Sequence, residues 1–120
     1  MKISLLDRGN YYRGLLVLIR RDRVISEQER ELMIQLGTSL DFDGKFCEAA
    51  IDDLLNNKNI SDEPIIFADK GTAESFLRDA VRVASVDGAI HQKELDWLKT
   101  VAEANGIDEK LLNDKIHADN

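Results

Sequence analysis

Apolar residues in this chain recur every three to four positions, the spacing of one face of an α-helix, and almost nowhere alternate. Residues 11–21 predict a first helix, apolar on nearly every side from Leu15 to Ile19 and so central in the core. Residues 27–40 predict a second, with Leu32, Met33, Leu36 and Leu40 in one stripe. A third spans 44–57, with Phe46, Cys47, Ala50, Ile51, Leu54 and Leu55 on its apolar face. The fourth runs about 73–86 through Phe76, Leu77, Ala80, Val81, Val83 and Ala84. A fifth covers about 92–105 with Leu95, Leu98, Val101 and Ala102 inward, and a short sixth carries Leu111, Leu112 and Ile116. Pro64-Ile65-Ile66-Phe67 reads as a short extended piece. The expected fold class is all-α.

Helix order repeats, and so does the sequence. A shift of 65 residues places Arg13 on Arg78, Asp22 on Asp87, Ile25 on Ile90, Glu29 on Glu94, Asp43 on Asp108, Lys45 on Lys110 and Ile51 on Ile116. Those are seven identities in 44 ungapped pairs, and the apolar positions stay in phase with the helices throughout. The prediction is a single domain over residues 1–120, built from two three-helix units at about 11–57 and 73–117 with a connector at 58–72. Each unit alone leaves an open apolar face, so the two should pack together about a pseudo-twofold axis.

Two acidic turns carry the candidate chemistry. Asp22-Arg23-Val24-Ile25-Ser26-Glu27-Gln28-Glu29 and Asp87-Gly88-Ala89-Ile90-His91-Gln92-Lys93-Glu94 each join one helix to the next. The spacing D-x-x-I-x-x-x-E matches the second half of an EF-hand calcium loop. Where the first half needs acidic ligands stand Leu18 and Arg20, and Val83 and Ser85, so a working EF-hand is rejected. Ser26 with Glu29 fits a capping box, and Asp43 and Asp108 fit helix N-caps. His91 is a poorer cap than serine, so Glu94 is less completely explained that way. Ile25 and Ile90 read as plugs into the core, Trp97 as a packing residue and Cys47 as a buried, inert thiol. Asp22 and Asp87 face the negative end of a helix dipole, which costs about 0.3–1 kcal/mol unless amides of the turn offset it.

A twofold arrangement bringing Asp22, Glu29, Asp87 and Glu94 together would gather four carboxylates. Two such charges about 6 Å apart repel by roughly 3 kcal/mol at an effective dielectric near ~20, so the group would need a cation or a basic partner. A hard divalent ion (calcium, magnesium or manganese) suits oxygen ligands, and His91 widens the choice to zinc. Arg20, Arg21 and Arg23 surround Asp22, whereas Ser85, Val86 and Gly88 surround Asp87; salt bridges in the first turn would leave the second to the ion.

Composition narrows the classes. The formal charge of −7 disfavours nucleic acid and anionic membrane surfaces, which recruit positive patches. The longest aliphatic run, Leu15 to Ile19, is far short of a membrane span. The first ten residues hold no apolar stretch long enough for a secretory signal, so the expected compartment is the cytoplasm. One cysteine excludes an intramolecular disulfide and a CxxC motif. Serine and Cys47 lie outside nucleophile motifs and a glycine-rich phosphate loop is missing, so neither an enzyme nor an organic cofactor is expected. With two histidines, His91 and His117, a histidine-rich hydrolytic centre is not expected either.

At VASVDGAIHQKELDWLKTVAEANGID the chain resembles the tellurite-resistance TerB-like family, through a helix ending in A-x-x-D-G-x-I followed by x-x-x-E. LIRRDRVISEQERELMIQLGTSLDFD is a weaker copy, extending the resemblance over about 11–117. The resemblance implies an all-helical pseudo-twofold fold and an acidic surface for divalent cations, with Asp22, Glu29, Asp87 and Glu94 as the corresponding residues. It also implies a role in stress-response or membrane-associated assemblies. Arg23 departs from the glycine of the motif, and His91 from its small or polar cap. The leading expectation is a small binding module whose acidic turns hold a cation or a basic protein segment. The competing one is a metal-free helical scaffold, whose faces and connector would mediate association with a protein partner or with a second copy.

Overall fold

Helix starts in this protein are written locally, by side chains that accept the first free amide protons. The computed structural model describes residues 3–20, 25–56, 63–86, 88 and 90–113. Five main helices follow in order: α1 (Leu5–Arg20), α2 (Glu27–Ser39), α3 (Gly44–Asn56), α4 (Lys70–Ser85) and α5 (Gln92–Ala104). A short turn of helix, α6, follows at 110–113. The Ser4 hydroxyl accepts from the Asp7 amide at 3.2 Å to open α1, and the Asp69 carboxylate accepts from the Thr72 amide at 2.7 Å to open α4. Asp43 and Asp108 accept from the Lys45 and Lys110 amides at 2.8 and 2.9 Å, as the sequence led one to expect.

Helix exits are equally specific. After α2, the Phe42 amide donates to the Gly37 carbonyl and the Asp41 amide to the Thr38 carbonyl. After α5, Ile107 donates to Ala102 and Gly106 to Glu103. Both exits are Schellman motifs, closed by left-handed residues at φ 69° (Asp41) and 68° (Gly106).

The chain is all-helical among the described residues and forms one globule around α1. Leu15 to Ile19 are all buried, so this helix must be covered on every side. It packs against α2, α3 and α4, while α4 also meets α2 and α5, and α2 pairs with α3. Tyr11 and Phe76 meet edge to face at the α1–α4 contact, with centroids 5.3 Å apart, and Trp97 of α5 joins Phe76 at 6.4 Å. Trp97 and Cys47 are buried, as read from the sequence, and Ile25 and Ile90 are half-buried against the core.

Several boundaries differ from expectation. α1 starts at Leu5 rather than 11 and α4 at Lys70 rather than 73, so the connector ends before the expected 72. Phe46, assigned to the inner stripe of α3, is half exposed and rests on Phe42 at 5.3 Å instead. Ile116 and the side chains of Leu54 and Leu55 lie outside the described residues.

The extended piece is present, with Ile65 and Phe67 buried while Pro64 and Ile66 face out. Asn105, the last turn of α5, clamps it like a neighbouring strand: its amide nitrogen donates to the Ile65 carbonyl at 2.7 Å and its oxygen accepts from the Phe67 amide at 2.9 Å. Buried Asp7 accepts from the Ala68 amide at 3.1 Å. Among the described residues, no helix is long and apolar enough to cross a membrane.

Two glycines in α1 have opposite surroundings. A β-carbon at Gly14 would lie 2.7 Å from Ile65 Cδ1 and from the Phe76 ring, whereas one at Gly9 would meet nothing within 4 Å. Alanine gains about 0.8–1.0 kcal/mol of helix propensity at either site. Urea denaturation should therefore show Gly9→Ala stabilised by about that amount. Gly14→Ala should lose roughly 1–3 kcal/mol from overpacking, and equal stabilisation of both variants would refute the close contact of α1 with α4 and with the extended strap at 63–69.

Candidate functional site

The two turns named by the sequence end on equivalent glutamates. Glu29 and Glu94 are both the third residue of their helices, and each is only 3% exposed. Glu29 Oε1 accepts from the Ser26 amide at 3.1 Å while the Glu29 amide donates to Ser26 Oγ at 3.0 Å, completing the capping box. Glu94 Oε1 accepts from the His91 amide at 3.2 Å, the same reach-back to the cap. A carboxylate in this first turn also faces the positive end of the helix dipole. Both glutamates therefore have a structural role at the helix start, including Glu94, for which the sequence offered the weaker case.

Asp22 and Asp87 lie outside the described residues, as do Arg21 and Arg23 and the side chain of Arg20. Among the described residues, no three His, Cys, Asp or Glu side chains come together as metal ligands would. Leu18 and Val83, standing where an EF-hand loop would begin, are fully buried within α1 and α4. An EF-hand is therefore excluded on structural grounds as well as chemical ones. His91 is exposed at the start of α5.

Sequence reading missed one surface feature. Where the start of α1 meets the end of α2, Ile3, Ser4, Leu5, Arg8, Ser39, Leu40 and Asp41 line an open groove of about 580 Å³. The Arg8 guanidinium bridges to the Asp41 carboxylate at 3.3 Å and to the Leu40 carbonyl at 3.5 Å, both at the negative end of α2. Leu5, which lines it, and the adjacent Leu6 are 72% and 75% exposed, unlike the buried leucines later in α1.

Between α1 and α4 lies a buried polar cluster. The Tyr11 hydroxyl donates to Asp79 and is 3.0 Å from the Ser75 hydroxyl. Burial, then the bond to Asp79, pushes the Tyr11 phenol well above its ordinary value. Tyr12 donates to the Met33 carbonyl at 3.1 Å, and its phenol is raised by burial and then by a hydrogen bond with Cys47. In each case the folded chain holds the proton more tightly than the unfolded chain. The contribution to stability is complete below the unfolded value of 10.0 and is lost as pH rises beyond it toward the folded value. Because the chain has only these two tyrosines, phenolate absorbance reports on them alone. In an alkaline titration the native protein should show no phenolate near pH 10, gaining it only in step with loss of helical circular dichroism; Tyr11→Phe should shrink the stability loss above that pH. A normal phenolate titration in the folded state would contradict the buried cluster.

Comparison of the chain with known protein families, characterised proteins and solved structures finds no match.

Proposed function

We propose that the chain is a TerB-like binding module made of two three-helix units related by a pseudo-twofold axis, whose acidic turns hold a divalent cation. The carrying observation is that the hydrogen bonds framing each turn recur at one offset. Glu29 on the Ser26 amide is repeated 65 residues later by Glu94 on the His91 amide, at 3.1 and 3.2 Å, with both glutamates equally buried. The helices obey the same shift: α1 and α4 have 16 residues each, α2 and α5 have 13, and all four pairs of ends differ by 65. So do the Schellman exits and the caps at Asp43 and Asp108.

A pseudo-twofold relation gains support from Tyr11 and Phe76, an equivalent pair in direct contact. Residues related by a twofold axis touch each other only near that axis. Such matched framing supports matched turns, each with an aspartate seven residues before its buried glutamate. The second turn, free of the arginines that crowd Asp22 in sequence, is the better cation site, with Asp87 and Glu94 as ligands. In this reading the module works in the cytoplasm, and ion binding would present its acidic surface to a protein partner in a stress-response or membrane-associated assembly.

A metal-free scaffold is the second reading. It is favoured by the capping duty of both glutamates and by the exposed Leu5, Leu6, Phe46 and Ile66. The two readings separate in one set of melts. After chelation, calcium, magnesium, manganese or zinc at about 100 times its dissociation constant should stabilise the module by about 2.7 kcal/mol. For a domain of this size that is a rise in Tm on the order of 10 °C. Asp87→Asn with Glu94→Gln should abolish the rise, while glutamine keeps an acceptor for the His91 amide and so preserves the metal-free Tm. Glu94→Ala, by contrast, should also lower the metal-free stability by about 1 kcal/mol. If none of the four ions gives a saturable shift, the cation reading is overturned. Concentration-dependent light scattering that survives both substitutions would then support the scaffold as a self-associating one.

A further inference from the structure

We draw no further inference here: the strongest candidate, the half-apolar groove between the start of α1 and the end of α2 beside the exposed Leu5 and Leu6, carries nothing because nothing in the structure shows what covers it.

Discussion

One helical segment without a polar side dictates the architecture. Five consecutive residues of α1, Leu15 to Ile19, point in all directions around its axis, and all are buried. Fully burying such side chains is worth about 1.5–3 kcal/mol each, so together they rival the ~5–15 kcal/mol net stability of an ordinary domain. No single neighbour can cover that helix. α4 takes one side, the α2–α3 pair another, and the strap at 63–69 crosses near Gly14. The small size of Gly14 lets Phe76 and Ile65 approach the α1 backbone, which ties the strap and the α1–α4 contact to one position.

The peripheral helices depend less on composition than on how their ends are finished. α2 is weakly amphipathic in sequence and carries Glu27, Gln28, Glu29, Arg30 and Glu31 in its first turns. Its place is defined by the Ser26–Glu29 box at one end and by the Schellman turn at the other. That turn puts Asp41 in the left-handed region, where α5 has glycine. The ion pair with Arg8 is mostly solvent-exposed on the Asp41 side, so it contributes little toward offsetting that backbone cost. Asp41 costs local stability yet keeps a carboxylate beside the α1 start, where Arg8 closes the corner.

What was legible in the sequence was what is local. Ser26 and Glu29 lie three residues apart, and Asp43 and Asp108 cap amides two residues on, so their partners can be read by counting. The starts of α1 and α4 were misread because Gly9-Asn10 and Gly71 are poor helix formers, and because Ser4 and Asp69 were not recognised as caps. Asn105 and Asp7 were invisible for a different reason. Their partners are 38 to 61 residues away, and an asparagine in a last turn ahead of glycine looks like an ordinary helix stop. Phe46 shows the same limit: helical spacing gave its phase, but it rests on Phe42 and stays half exposed. At the candidate site, the glutamates were legible as third residues of their helices, whereas their burial depends on tertiary packing that counting along the chain does not give.

Capping and ion binding by the same glutamate are compatible as chemistry. A carboxylate offers about four lone-pair directions over two oxygens. What burial changes is access. Glu94, 3% exposed at the head of α5, presents little of its side chain to solvent. The turn that precedes it contains Gly88 at φ 143°, a conformation side-chain-bearing residues rarely adopt, where the first turn has Arg23. Gly88 thus gives the second turn a backbone conformation that favours glycine, ahead of a glutamate anchored at its helix start. The first turn keeps the Glu29 anchor but has Arg23 in sequence where the second has Gly88. The two turns are thus alike in the glutamate that anchors each to its helix start and unlike in the residues at positions 23 and 88.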